Sequence, residues 1–99
     1  MSAHNRNVRT RDFRSMYARL PDSIREDAIE AFRLFLRDPS HPSLRLHRLQ
    51  DRGRGRHRND TFSVSVTRSY RALFVVDGDV NVWYWIGTHG DYDAFTGGT

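Results

Sequence analysis

The sequence predicts an α+β fold in which an N-terminal helical hairpin packs on a three- to four-stranded, mainly antiparallel sheet. Apolar residues recur at helical spacing over residues 10–38, whereas residues 44–86 alternate in polarity or form short apolar runs typical of strands. The length of 99 residues suits one domain with a modest core. We therefore expect a single domain spanning residues 1–99, with residues 1–9 as an arm or weak strand and residues 87–99 as a C-terminal loop and tail.

Each predicted helix carries apolar side chains along one face. The first helix follows Thr10, a good N-cap residue, and ends at Pro21. The second begins at a capping box formed by Ser23 and Glu26, and Asp38-Pro39 closes it. The apolar stripe of the first helix comprises Phe13, Met16, Tyr17 and Leu20, and that of the second comprises Ile24, Ala28, Ala31, Phe32, Phe35 and Leu36.

The rest of the chain predicts short strands. Residues 44–49 form a short candidate strand, and the strict alternation over residues 62–67 predicts a half-buried strand with one wet face. Residues 70–76 are apolar on both faces apart from Arg71, which predicts a central strand. Asp77-Gly78 is typical of a hairpin turn, after which the chain returns as a last strand rich in valine and aromatic residues.

The hairpin turn sets an expected register between the last two strands. If the turn has two residues, Arg71 lies opposite Tyr84 and Arg68 lies opposite Gly87. His89 then follows close to these arginines. Strict alternation puts it on the face of Arg68, but a glycine can break the strand, so the sequence leaves its face open.

Composition excludes several classes of protein. The chain has no cysteine, so disulfides and thiolate metal sites are excluded, and its five histidines lack metal-ligand spacing. We therefore expect neither a metal nor another cofactor. No apolar run approaches the length of a membrane span or signal-peptide core, which predicts a cytoplasmic protein with no membrane partner. The net charge of +4 indicates an anionic partner.

Arginine accounts for all sixteen basic side chains, and the arginines cluster in one segment. Residues 44–58 carry a single acid, Asp51, and two glycines that let the loop adapt its backbone. The segment is typical of a phosphate-backbone clamp, although a solvated charged loop has the same composition. The candidate RNA-binding residues are Arg45, Arg48, Arg52, Arg54, Arg56 and Arg58, together with Arg68 before the central strand.

Two further features suggest chemistry. Arg71 interrupts an apolar strand, so it either projects onto a ligand face or pairs with an acid such as Asp91 or Asp93. The segment that follows the last strand brings together His89, Tyr92 and those two acids. A histidine there suits general acid or base catalysis, but an ordinary polar loop has the same composition.

Several short motifs are individually unspecific, but their order along the chain is typical of a known family. They are residues 38–44 (DPSHPSL), His47-Arg48-Leu49, residues 70–74 (YRALF), residues 85–89 (WIGTH) and Tyr92-Asp93. Together with the helix-helix-meander pattern and the basic charge, this order resembles the RelE/ParE superfamily of toxins from type II toxin-antitoxin systems. The resemblance covers roughly residues 10–95.

The resemblance implies a function and roles for four residues. RelE-like members are metal-independent endoribonucleases that cut mRNA at the ribosome, and they are neutralised by a cognate antitoxin protein. By position, Arg71 stabilises the phosphate, His89 acts as acid or base, Tyr92 positions the substrate and His47 is a second histidine found in some members. The strand over residues 62–67 departs from several ribosome-dependent members, because it carries no cation.

Two other functions remain open at this stage. ParE-like members share the fold but inhibit DNA gyrase without cleaving a bond, and a domain with this fold can also bind only antitoxin or RNA. A titrating histidine beside an arginine favours the nuclease.

Overall fold

The computed structural model describes residues 5–51 and 55–98, and it confirms the α+β class. The sheet has five strands rather than three or four, in the order β1-β5-β4-β3-β2, with β1 parallel to β5 and the other pairs antiparallel. In chain order the elements are β1 (Arg6–Arg9), α1 (Arg11–Ala18), α2 (Asp22–Arg37), a 3-10 turn (Pro42–Leu44), β2 (His47–Arg48), β3 (Thr61–Ser65), β4 (Tyr70–Asp77), β5 (Val80–Thr88) and α3 (His89–Thr96).

The helical hairpin forms as predicted, with one difference in its capping. Thr10 caps α1 by accepting a hydrogen bond from the backbone N–H of Phe13 at 3.1 Å. The capping box at Ser23 is wrong, because α2 begins at Asp22 and its N-cap is Pro21, two residues before Ser23, without a side-chain hydrogen bond. Pro21 already has the extended backbone of an N-cap, and Asp22 places a negative charge in the first turn, where the helix dipole favours it.

The polar N-terminal segment forms the edge strand β1. The side-chain oxygen of Asn7 accepts hydrogen bonds from Asn81 Nδ2 at 3.1 Å and from Trp83 Nε1 at 2.9 Å. Asn5 Nδ2 donates to the Oδ1 of Asn81 at 3.2 Å, and Asn81 is fully buried. Side-chain hydrogen bonds to β5 therefore hold a strand that has little apolar surface to bury.

The register between β4 and β5 differs from the expected one for two reasons. Asp77 pairs with Val80, so the turn lies one residue later than predicted. A β-bulge then leaves Tyr84 without a direct partner, because Phe74 pairs with Trp83 and the preceding residue of β4, Leu73, pairs with Trp85. As a result, the residue opposite Arg71 is Gly87 rather than Tyr84.

The bulge divides two neighbouring tryptophans between the faces of the sheet. Trp83 packs with Phe35 and Phe74 on the hairpin face, which is the face covered by α1 and α2. Trp85 packs with Leu73 and Tyr92 on the opposite face, which we call the α3 face because α3 covers it. The sheet therefore has an apolar cluster on each side.

Two predictions about the α3 face are wrong for the same reason. The segment after β5 is a helix over His89–Thr96 instead of a loop, and Thr88 caps it by accepting from the N–H of Asp91 at 3.1 Å. The polar face of β3 is not wet, because Tyr84, Arg71 and the chain around α3 cover it. The side chains that this cover buries are Thr61, Ser63 and Ser65.

Among residues 5–51 and 55–98, no helix combines the length and apolarity needed to cross a bilayer.

The asparagine network makes a prediction about stability. Replacing Asn81 with Ala removes a fully buried amide and leaves Asn5 without its acceptor and Asn7 without one of its two donors. We expect the free energy of unfolding to fall by about 2 kcal/mol, measured by urea denaturation. Asn59→Ala is the matched control, since Asn59 is exposed, and should change that energy by less than about 0.5 kcal/mol. Equal values for the two variants would contradict the structural role of the network.

Candidate functional site on the α3 face

Arg71 is the centre of the candidate site. It lies on the central strand β4 and is only 9% exposed. Its Nη1 donates to the Oγ of Ser63 at 3.2 Å, and its guanidinium carbon lies 5.1 Å from the ring centroid of Tyr92. Its Nε is buried without a hydrogen-bond partner. A hydroxyl group and an aromatic face, rather than a carboxylate, thus accommodate this buried charge among the described residues.

The alternative of an ion pair between Arg71 and a nearby acid is not realised. Within the described parts of the chain, no carboxylate lies within salt-bridge distance of Arg71. Asp93 instead lies on the next turn of α3 from His89, and its Oδ2 is 3.2 Å from the Nδ1 of that histidine. The positive charge of Arg71 therefore has no acidic partner in the described structure.

His89 is the first residue of α3 and is half-exposed, with 48% of its side chain accessible. Its backbone N–H donates to the carbonyl of Ser69 at 2.7 Å, which ties the start of the helix to the turn before β4. Because Asp93 engages Nδ1, Nε2 is the ring nitrogen that can exchange a proton with a ligand. The ring centroids of His89 and Tyr92 are 5.6 Å apart, so Tyr92 contacts both His89 and Arg71.

Two further arginines lie over aromatic rings beside this centre. The guanidinium carbon of Arg56 is 5.9 Å from the centroid of Phe95, and that of Arg58 is 5.5 Å from the centroid of Tyr84. Hydrogen bonds from their backbone N–H groups also hold these two arginines in place. The N–H of Arg56 donates to the carbonyl of Phe95 at 2.6 Å, and that of Arg58 donates to the hydroxyl of Tyr84 at 3.0 Å. Both guanidinium groups are exposed and lack an ion pair within the described ranges.

Arg48 differs from these arginines because two acids neutralise it. It donates to Asp51 at 2.8 Å and to Asp60, and the hydrogen bond that it donates to Asp60 is the largest cause of its raised pKa. The pKa of Asp51 is lowered, foremost by the backbone N–H of Asp60, which donates to it at 2.8 Å, and further by Arg48. Arg48 thus links the two ends of the loop after β2 rather than presenting a free charge.

The other predicted basic residues lie apart from Arg71. Arg45 and Arg68 line an open groove between α2 and the end of β3, a groove that they share with Arg37. His47 is exposed on the edge strand β2, with its Nδ1 2.9 Å from the carbonyl of Arg45, and β3 separates it from β4. Two more predicted RNA-binding residues, Arg52 and Arg54, lie outside the described residues. The structure therefore brings together Arg71, His89 and Tyr92, but not His47.

Three contacting residues were not singled out from the sequence. Ser63, Tyr84 and Phe95 hold the arginines, yet serine in an alternating strand and aromatics near a strand end carry no specific signal. The helix that brings Phe95 into place did have a signal, because Thr88 and Asp91 have the spacing of a capping box. No group of three or more potential metal ligands occurs in the part of the chain that the structure describes.

A helical hairpin packed on one face of a five-stranded sheet is an architecture that a class of small toxins shares. The family model for the ParE-like toxin domain matches residues 22–94, which is more than half of the chain. The protein belongs to this family, and its resemblance to the RelE/ParE superfamily is confirmed. No curated protein matches it significantly in sequence.

Solved structures of such toxins share the fold. YafQ from Escherichia coli strain BL21(DE3) aligns with a TM-score of 0.66 and 12% identity, covering 89% of this chain and 97% of YafQ. RelBE2 from Mycobacterium tuberculosis aligns at 0.63 and 23% identity, covering 86% and 98%. A YoeB/ParE toxin from Agrobacterium tumefaciens aligns at 0.65 and 17% identity, covering 85% and 98%. At these identities the likeness establishes the fold.

Proposed function

We propose that this protein is the toxin of a type II toxin-antitoxin system and acts in the cytoplasm as a metal-independent endoribonuclease that cleaves mRNA at the ribosome. One observation carries the proposal. A half-exposed imidazole and an arginine that has no acidic partner among the described residues both lie beside the Tyr92 ring. Such a pair suits proton transfer beside a phosphate whose negative charge grows during the reaction.

The proposed reaction needs only the RNA and these side chains. The ribose 2′-oxygen attacks the adjacent phosphorus, losing its proton, and the bond from phosphorus to the 5′-oxygen breaks as that oxygen gains a proton. The products are a 2′,3′-cyclic phosphate and a 5′-hydroxyl. His89 transfers a proton at one of these two oxygens, while Arg71 stabilises the charge on the phosphate oxygens. Tyr92 orients the nucleotide between them.

The arginines held by aromatic rings extend the proposed site along the RNA. Arg56 and Arg58 lie on the loop that contacts α3 and have no acidic partners in the described structure. An aromatic ring below a guanidinium restricts its motion without occupying its N–H groups, so it stays available for phosphate oxygens. Arg48 is predicted to contribute little, because Asp51 and Asp60 already accept its hydrogen bonds.

A gyrase inhibitor of the ParE kind is the second candidate. It is favoured by the composition of β3, where Thr61, Ser63 and Ser65 occupy the α3 face without any cation, and by the deep burial of Arg71. An inhibitor requires neither an accessible arginine nor proton transfer by His89. The two candidates therefore differ in whether His89 is needed.

The hairpin face offers a site for the proposed antitoxin. A groove of about 540 Å³ lies between α2 and the sheet, and its exposed rim includes Ile29, Phe32 and Leu36. Arg9 adds a positive charge at the β1 side. An amphipathic segment with acidic flanks complements this surface in both shape and charge. RelBE2 from Mycobacterium tuberculosis is described as a toxin-antitoxin complex, which supports a partner of this kind.

The role of His89 is tested by expressing wild type and His89→Ala in cells and mapping mRNA 5′ ends. We expect wild type to create new 5′ ends at codon positions and His89→Ala to reduce them at least about 100-fold, because general acid-base catalysis contributes that much. Asp91→Asn is the matched control, since Asp91 is exposed on the same helix, and should cleave like wild type. Growth arrest with DNA damage signalling and no new 5′ ends would favour the gyrase inhibitor instead.

We expect an arginine beside an aromatic ring to bind RNA and an arginine paired with acids to bind it little. RNA binding is measured in the His89→Ala variant, which prevents cleavage. We expect Arg58→Ala to weaken binding of a labelled single-stranded RNA several-fold in fluorescence anisotropy. The slope of log K against log salt should fall by about 0.7, the value for one phosphate contact on a single strand. Arg48→Ala, at an exposed arginine with two acidic partners, should leave that slope unchanged. Equal effects of the two substitutions would refute the expected difference between the two arginines.

The groove is tested with Ile29→Asp, which places a charge at its rim. Ile29 is 43% exposed, so the substitution should leave the fold intact. We expect the dissociation constant for the co-expressed antitoxin, measured by calorimetry, to rise at least about 30-fold, as for a hot-spot residue. Ser23→Asp introduces the same charge on the same helix outside the groove and should bind normally. Unchanged affinity of Ile29→Asp would place the antitoxin elsewhere.

A further inference from the structure

The bulge in β5 gives Tyr84 an orientation that a regular strand would not allow together with its neighbour. In a regular strand Tyr84 and Trp85 would project from opposite faces of the sheet. Here both pack in the apolar cluster on the α3 face. Bulges commonly re-aim a side chain beside a functional site. The extra residue therefore adds the Tyr84 phenol to the face that carries the candidate site.

The hydroxyl of Tyr84 belongs to a short chain of hydrogen bonds whose directions follow from chemistry. The carbonyl of Arg58 can only accept, so the hydroxyl of Thr61 donates to it, at 2.6 Å. Because that proton is used, the Tyr84 hydroxyl donates to the Oγ1 of Thr61, at 2.8 Å. The same phenol oxygen accepts from the backbone N–H of Arg58 at 3.0 Å. The two hydroxyls thus satisfy both backbone groups of Arg58.

The ring of Tyr84 also contacts the charged end of Arg58. The guanidinium carbon lies 5.5 Å from the ring centroid, and the side chain is exposed without an ion pair in the described ranges. Tyr84 is on β5 and the fully buried Thr61 is on β3, so their contact spans β4, which lies between them. A loop arginine is therefore held at its backbone and at its guanidinium by residues of two strands.

We propose that Tyr84 is a positioning residue that clamps Arg58, with its hydroxyl on the backbone and its ring on the guanidinium. An arginine loses rotamer freedom when it binds a phosphate, and ordering it beforehand reduces that cost. The clamp therefore raises the affinity of Arg58 for a phosphate of the RNA. This consequence rests on the proposed function, whereas the clamp itself is a property of the fold.

The hydroxyls of β3 relate the clamp to the candidate site. Thr61 and Ser63 lie two positions apart on one face of β3, about 6.6 Å along the strand. Ser63 accepts a hydrogen bond from Arg71, and Thr61 donates to Arg58. A strand face without cations thus holds two arginines that come from other elements, at a separation that the strand fixes.

The first measurement is amide hydrogen exchange without RNA, followed by NMR. Tyr84→Phe keeps the ring and removes the hydroxyl, so the amide of Arg58 loses its acceptor and should exchange at least about 10-fold faster. The amide of Arg56 donates to a carbonyl of α3 instead and should be unchanged. Tyr17→Phe is the matched control, because it removes a hydroxyl that donates to the carbonyl of Arg25, and it should alter neither amide. Unchanged exchange of Arg58 in Tyr84→Phe would overturn the proposal.

The second measurement is binding of a labelled single-stranded RNA in the His89→Ala background. We expect Tyr84→Phe to weaken binding about 3-fold, as for one lost hydrogen bond, and Tyr17→Phe to bind normally. If Tyr84 acts through Arg58, adding Tyr84→Phe to Arg58→Ala should cause no further loss, since residues in contact are not additive. A merely structural effect would add to that of Arg58→Ala, and additive losses would therefore reject the positioning role.

Thr61→Val tests the same clamp from another strand. It keeps nearly the same shape and removes the second hydroxyl, so it should weaken RNA binding as Tyr84→Phe does. If Tyr84→Phe proves globally unstable, with β4 exchange raised as well, Thr61→Val decides the question.

The two measurements also separate the clamp from the proposed function. Faster exchange of Arg58 in Tyr84→Phe, with a wild-type protein that binds no RNA, keeps the clamp and rejects the RNA function. Slow exchange of Arg58 in both proteins, with normal RNA binding by wild type, rejects the clamp and keeps the RNA function.

Discussion

Tryptophans two positions apart on one strand normally project to the same face of a sheet. The bulge at Tyr84 breaks this alternation, so Trp83 packs under α2 while Trp85 packs under α3. Each apolar cluster of the molecule therefore receives one tryptophan because of a single extra residue in β5. The same residue shifts the register beyond it and places Gly87 beside Arg71. A Cβ at Gly87 would lie 2.9 Å from the indole of Trp85, so the packing of Trp85 in the second cluster favours a glycine there.

Local sequence signals predicted the elements that local interactions stabilise. The cap at Thr10, the helical stripes of the hairpin and the apolar run of β4 all appear in the structure. The errors lie where distant residues decide the outcome. β1 is stabilised by Asn81, more than seventy positions away, and the bulge follows from packing on both faces of the sheet. Glycines at both ends of α3 made a helix there look like a loop.

The sequence predicted which residues form the candidate site, but it did not predict that Arg71 is buried. Arg71, His89 and Tyr92 were named from the sequence, and the structure brings them together around one aromatic ring. Their burial depends on α3, which was not predicted, so the sequence could not indicate that Arg71 is covered. Nor could the sequence show which arginines of the basic segment are free to bind a phosphate. Composition gives only the number of charges, whereas the ability of an arginine to bind a ligand depends on the residues that contact it. Arg48 and Arg58 have the same chemistry, yet acids surround one and an aromatic ring lies beside the other.

The two proposed binding surfaces lie on opposite faces of the same sheet, and this geometry constrains how an antitoxin inhibits. The groove beside Ile29 is on the hairpin face, whereas Arg71 lies against Tyr92 of α3 on the opposite face. A partner confined to the groove would leave the α3 face uncovered, so it could not block RNA by occupying the same surface. It must either extend around an edge of the sheet to α3 or act on the α3 face through the sheet itself. The second route has a structural basis, since neighbouring residues of β4, Leu73 and Phe74, belong to the clusters on the two faces. The packing of Phe74 under the hairpin and that of Leu73 under α3 are thus connected by one peptide bond of the central strand.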